Sequence, residues 1–130
     1  GGRLAGRPAT RIIDAADRLL SPGFVDMMGQ SSLVLVTNPP SAQSKLRQGI
    51  TTYLSGEGGS PVPQNEVTQP EPVMIDGEAT RWTTYAEYFD VLGGRIPINV
   101  VHDVGLTQVR RVVLGDEDIQ PTEAQLDEMR

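Results

Sequence analysis

The chain has no cysteine and a single histidine, His102, among its 130 residues. Without cysteine, this segment holds no disulfide and no thiolate metal site. That usage is compatible with the cytoplasm, the expected location. A basic face is also missing. Eleven Lys and Arg stand against 17 Asp and Glu, for a net charge of −6. The cations are spread out, and only Arg110 and Arg111 are adjacent. A nucleic-acid surface needs clustered positive charge, so no nucleic-acid partner is expected. No apolar run approaches the roughly 18–20 residues of a membrane-spanning helix, so no membrane partner is expected either.

The N-terminus shows no charged-then-apolar secretion signal. It begins Gly1-Gly2-Arg3-Leu4 without an initiator Met, and the far end, Leu126-Asp127-Glu128-Met129-Arg130, reads as a helix cut in mid-course. Both ends are expected to be breaks in a longer protein, which leaves an upstream signal peptide open. The length fits one domain or part of one. A chain of this size buries about two-thirds of its unfolded surface.

Local patterns suggest a succession of elements. Residues 11–15 and 18–20 are short β-type runs. Phe24-Val25-Asp26-Met27-Met28 reads as a buried strand with one carboxylate in it. Leu33-Val34-Leu35-Val36 fits strand or helix, because period alone does not settle short apolar runs. Ser41 is placed to cap a short helix through Leu46, with Gly49 at its end. Ile50-Thr51-Thr52-Tyr53-Leu54 has the β-branched and aromatic composition of a strand. Residues 61–80 hold Pro61, Pro63, Pro70 and Pro72 and read as one long loop. Thr84-x-x-Glu87 and Thr122-x-x-Gln125 are capping boxes that open helices. Ile98 to Val101 reads as a strand, and 109–114 as a short helix or turn. Strands alternating with helices argue for a parallel sheet with crossover helices.

Several landmarks now line up. Ser21-Pro22-Gly23-Phe24-Val25-Asp26 is followed by Gln48-Gly49-Ile50-Thr51-Thr52, then Gly56-Glu57-Gly58, Tyr85-Ala86-Glu87-Tyr88-Phe89 and Asn99-Val100. This set resembles the amidohydrolase superfamily, specifically its D-aminoacylase (N-acyl-D-amino-acid deacylase) branch. The resemblance runs over nearly the whole chain. It implies an α/β fold: a partial (β/α)8 TIM-type barrel of about three strands, preceded by the end of a small β-sandwich. On that reading residues 1–21 close the sandwich and residues 22–130 form the first β/α units of an incomplete barrel. A complete barrel takes about 250 residues.

The resemblance also implies chemistry: a metal-dependent hydrolase cleaving a non-peptide C–N amide bond, such as that of an N-acyl-D-amino acid, with a metal-activated water. The partner would be that small-molecule substrate. The cofactor would be Zn2+ or another divalent ion, in a mononuclear site. Family members carry a His-x-His pair after Pro-Gly-Phe-x-Asp, but here the two positions hold Met28 and Gln30. A thioether and a neutral amide are poor zinc ligands. The family's loop cysteine is absent too. Gly58 aligns with it, and Glu57, one residue earlier, is the candidate metal ligand. Asp26, Gln30 and His102 are candidate substrate-binding or ligand-supporting residues. Each also has a plain structural reading: a hydrogen-bonded strand carboxylate, a loop amide, a packed histidine. No catalytic acid or base falls on this segment, so the 130 residues alone are expected to be inactive. The alternative is a barrel relative without catalysis that binds a ligand or partner, favoured by the loss of both histidines. The sequence does not fix the oligomeric state.

Overall fold

The computed structural model describes residues 6–30, 32–57 and 59–130. Three parallel strands form its centre: β1 (Phe24–Gly29), β2 (Ile50–Ser55) and β5 (Asn99–His102), in the order β1-β2-β5. Helix α1 (Leu33–Thr37), a 3-10 turn (Pro39–Ala42) and α2 (Gln43–Leu46) connect β1 to β2. A hairpin, β3 (Val73–Ile75) and β4 (Glu78–Thr80), then α3 (Tyr85–Leu92), connect β2 to β5. Helices α4 (Leu106–Leu114) and α5 (Glu123–Glu128) follow. The fold is thus α/β with a parallel sheet, as the alternation of elements suggests.

Paired residues on parallel strands point to the same side of a sheet. Asp26, Tyr53 and Val100 are in register, as are Gly29, Ser55 and His102. These rows face the helices. There Tyr53 joins Leu35, Val36, Trp82, Tyr88, Leu92 and Ile98 in the main apolar core. Trp82 and Tyr88 pack with ring centroids 5.5 Å apart, and each sends its polar atom to a backbone carbonyl, Pro61 at 2.8 Å and Ser32 at 3.1 Å. Burial of each ring is thereby reconciled with its donor.

Both capping boxes form. Thr84 accepts from the Glu87 amide at 3.3 Å, and the Glu87 carboxylate accepts from the Thr84 and Thr83 amides. Those donors hold the Glu87 carboxyl down at about 2. Thr122 and Gln125 repeat the arrangement at α5.

Four local expectations are corrected. Residues 11–15 and 18–20 form no strand; Ile12 and Leu19 are 84% and 98% exposed. A strand needs a partner edge, and no described segment pairs with them. Strand β1 does form, but Phe24, Val25, Met27 and Met28 are exposed, because it is an edge strand whose face away from the helices is uncovered. The Leu33 run is helix, and Ser41 lies inside the 3-10 turn that Asn38 precedes, so it caps nothing. The 61–80 segment is not one loop. Asp76 and Gly77 take φ of +52° and +88°, the turn of the β3-β4 hairpin. Asp-Gly is a strong hairpin signal, since both central positions of that turn need φ > 0.

Candidate functional site

The C-terminal ends of the three parallel strands lie side by side, with Gly29, Ser55 and His102 in one row. In parallel α/β folds, ligands bind at that edge. The loops leaving it are stitched together here. Gly56 has φ +124°, and a Cβ on it would lie 2.4 Å from the Asp103 carbonyl oxygen. A Cβ on Gly105 would lie 2.8 Å from the Gly56 carbonyl oxygen. The Ser60 hydroxyl accepts from the Gly105 amide at 3.1 Å and donates to the Val62 carbonyl at 2.6 Å. Only glycine fits such close approach of two backbones.

A cavity of about 430 Å3 opens beside these loops. Its wall takes Gln30 from the end of β1, Gly59 and Ser60 from the loop after β2, and Gln108 from the helix after β5. Each of the three strands thus sends its following segment to one hollow. The volume is that of a small-molecule site.

The four candidate residues are distributed unevenly. Gln30 is exposed and lines the cavity. Glu57 is exposed on the loop after β2 and is not part of the cavity wall. Gly58, at the position of the family's cysteine, lies outside the described residues. Asp26 sits on the helix-facing side of the sheet. Its carboxylate accepts from the Lys45 ammonium at 2.5 Å and from the Met28 amide at 3.1 Å. Lys45 in turn lies 4.4 Å from the Tyr53 ring centre. The hydrogen bond from Lys45 is the main reason that the Asp26 carboxyl titrates below the ordinary carboxylate range.

His102 packs against α3, with ring centroids 5.1 Å from Tyr88, 5.7 Å from Phe89 and 5.9 Å from Tyr85. Both ring nitrogens are buried without a hydrogen bond among the described residues. Burial lowers its pKa, against opposing pulls from the Ser55 backbone and Asp103. Burial thus favours the neutral form of the ring. Ser55, its register partner, also has a buried hydroxyl without a hydrogen bond.

Among the described residues, no three His, Cys, Asp or Glu side chains converge as a metal site. Glu57 is one isolated carboxylate, which does not by itself fit the four-ligand environment zinc prefers. Sequence reasoning also missed Ser32, Gln69 and Gln108, three buried polar residues on the cavity wall. Ser32 and Gln108 stand beside apolar helix positions, whereas Gln69 lies in the loop before β3 and carries no such signal. Lys45 is ion-paired with Asp26.

With this geometry in view, comparison with known proteins defines a class. The homologues with stated activities are N-acyl-D-amino-acid deacylases, and they match the D-aminoacylase branch of the amidohydrolase superfamily. The chain is 33% identical over 127 residues to an N-acyl-D-glutamate deacylase of Alcaligenes xylosoxydans xylosoxydans, covering 93% of this chain and 25% of that protein. It is 30% identical over 133 residues to an N-acyl-D-aspartate deacylase of the same organism, covering 99% of this chain and 26% of that protein. An uncharacterized protein of Mycobacterium tuberculosis (strain ATCC 25618 / H37Rv) is 27% identical over 138 residues, covering 91% of this chain and 22% of that protein. The chain thus spans about a quarter of the length of the curated relatives it matches. No protein-family model matches it. No solved structure matches it significantly.

Proposed function

We propose that this chain is part of a metal-dependent amidohydrolase that cleaves the C–N amide bond of an N-acyl-D-amino acid. The observation that carries this is homology to two deacylases across more than nine-tenths of the chain. The names of those relatives make N-acyl-D-glutamate and N-acyl-D-aspartate the first substrates to try. The parallel sheet is compatible with the first strands of a (β/α)8 barrel, with residues 1–21 as the end of a small β-sandwich. A cytoplasmic location belongs to the same reading.

In this proposal Glu57 contributes one ligand to Zn2+ or another divalent ion in a mononuclear site, completed by residues outside these 130 positions. Gln30 contacts substrate from the cavity wall. Asp26 and His102, both on the helix-facing side of the sheet, support the site from behind. Lys45 fixes the first, and the rings of α3 fix the second. The described residues do not assemble a metal site by themselves, so the 130-residue chain alone is expected to be inactive.

The test is amide hydrolysis by the protein extended to the length of its relatives, with N-acyl-D-glutamate, N-acyl-D-aspartate and their L enantiomers as substrates. D-selective release of the free amino acid supports the proposal. Absence of turnover with metal supplied sinks it and favours the second reading, a barrel relative that binds without catalysis. The histidine positions occupied by Met28 and Gln30 are the observation behind that second reading.

A further inference from the structure

The chain has one Asp-Gly step, Asp76-Gly77, and no Asn-Gly step. It forms the turn of the β3-β4 hairpin, where Ile75 pairs with Glu78. Both turn residues have positive φ, and a Cβ on Gly77 would meet nothing within 4 Å. The Asp76 side chain is exposed. An aspartyl carboxyl is open to attack by the backbone nitrogen of the next residue. Glycine leaves that nitrogen unhindered, because it carries no side chain.

One contact opposes this reaction. Arg95, just past α3, donates from Nη1 to Asp76 Oδ2 at 2.5 Å. Its own backbone is fixed by an amide bond to the Leu92 carbonyl at 3.0 Å. The hydrogen bond from Arg95 is the main reason that the Asp76 carboxyl titrates below the ordinary carboxylate range. Ring closure needs the protonated carboxyl, whose hydroxyl can leave as water. An ionised carboxylate has no such leaving group. Glu78 borders the same hollow as Asp76 and Arg95. Without Arg95, two carboxylates would share it uncompensated, and a like charge favours protonation.

We infer that Asp76-Gly77 is this chain's site of isoaspartate formation and that Arg95 restrains it. The Gly77 nitrogen bonds to the Asp76 Cγ, the bond from Cγ to its hydroxyl breaks, and the amide proton leaves with that hydroxyl as water. The product is a five-membered cyclic imide. Water then opens the ring. Opening at Cγ restores aspartate, and opening at the Asp76 main-chain carbonyl gives isoaspartate. No oxidant or cofactor enters, and the chemistry does not depend on deacylation. The altered backbone runs through Cβ and is one atom longer. It flanks Ile75, a core residue, and Val73 on the same strand lines the cavity. Isoaspartate here therefore loosens the hairpin that holds both.

The test is incubation of the protein for weeks at mildly acidic pH, followed by digestion and electron-transfer mass spectrometry to locate isoaspartate. It is expected at residue 76 ahead of every other aspartate. Arg95→Ala speeds its appearance by roughly two- to fivefold, the weight that an exposed ion pair carries. Near-UV circular dichroism checks that the variant folds. A second measurement uses the unaltered protein: high salt screens an exposed pair and so raises its rate, while folded Arg95→Ala does not respond. If Arg95→Ala does not fold, the salt response decides. Asp76→Glu keeps the charge and abolishes the signal, because its longer side chain closes a ring far more slowly. Isoaspartate appearing first at another aspartate, or none at residue 76 in any of these proteins, would overturn the site. Equal rates in the unaltered protein and folded Arg95→Ala, or a rate in the unaltered protein that salt leaves unchanged, would overturn the restraint by Arg95.

Discussion

Replacing Gly56 by alanine tests the junction between the loops after β2 and β5. Two costs add. At φ +124°, an alanine is strained whatever the space around it; such a backbone costs on the order of 1–3 kcal/mol. The new Cβ also lies 2.4 Å from the Asp103 carbonyl oxygen and 3.0 Å from its nitrogen. These are backbone atoms, so no side chain can swing aside, and overpacking of this kind costs roughly 1–3 kcal/mol. The sum is about 3 kcal/mol. With a urea slope of about 2 kcal/mol/M, the unfolding midpoint falls by about 1.5 M. Two controls separate the costs. Gly77 has φ +88° and nothing within 4 Å, so Gly77→Ala carries the strain alone; that is about 1 kcal/mol, or a shift of about 0.5 M. Gly59 has open space and no positive φ, so Gly59→Ala leaves the midpoint nearly unchanged. If Gly56→Ala unfolds no earlier than Gly77→Ala, the two loops do not pack as described.

Other consequences are equally direct. The Asp26 carboxyl titrates below its ordinary range when folded, so its pairing with Lys45 contributes above the unfolded pKa and fades as pH falls through the folded one. Asp26→Asn should therefore cost up to about 1 kcal/mol at pH 6 and progressively less below about pH 4, measured by urea titration at each pH. His102 is a base with a lowered pKa. Below about pH 6.5 the unfolded chain takes up a proton that the folded chain resists, so stability falls with pH. His102→Phe should flatten the stability profile between pH 7 and pH 5. Thr84→Ala removes the acceptor that caps α3 and should cost about 1 kcal/mol in thermal or urea unfolding. Glu57→Ala in the extended protein should lower bound metal, read by elemental analysis of the purified protein; unchanged metal content takes Glu57 out of the site.

What was legible in the sequence follows from where the physics is local. Capping boxes close within four residues, so Thr84 and Thr122 announced their helices without help from the rest of the chain. Strand β2 and its parallel neighbours were readable from composition and from the alternation with helices. Burial was not readable, because it depends on neighbours. Phe24, Val25 and Met27 look like core residues, yet they lie on an edge strand with one face uncovered. The Asp76-Gly77 turn was local and readable, but the prolines around it drew the segment into a single loop. At the site, motif spacing picked out Gln30 and the loop around Glu57. It did not pick out Gln69 or Ser32, which reach the cavity through tertiary packing that no motif encodes. Lys45 lies 19 residues from Asp26 and meets it only once α2 has packed on β2.

The spatial order β1-β2-β5 is also the order in which these strands leave the ribosome. Each new strand adds to the edge left by the one before it, and none has to be inserted between two already paired. The β3-β4 hairpin forms within its own eight residues and asks nothing of later sequence. Assembly can therefore keep pace with synthesis, with α2 packed on β2 before β5 exists. The growing edge at β5 would be the point of greatest exposure to wrong pairing during translation.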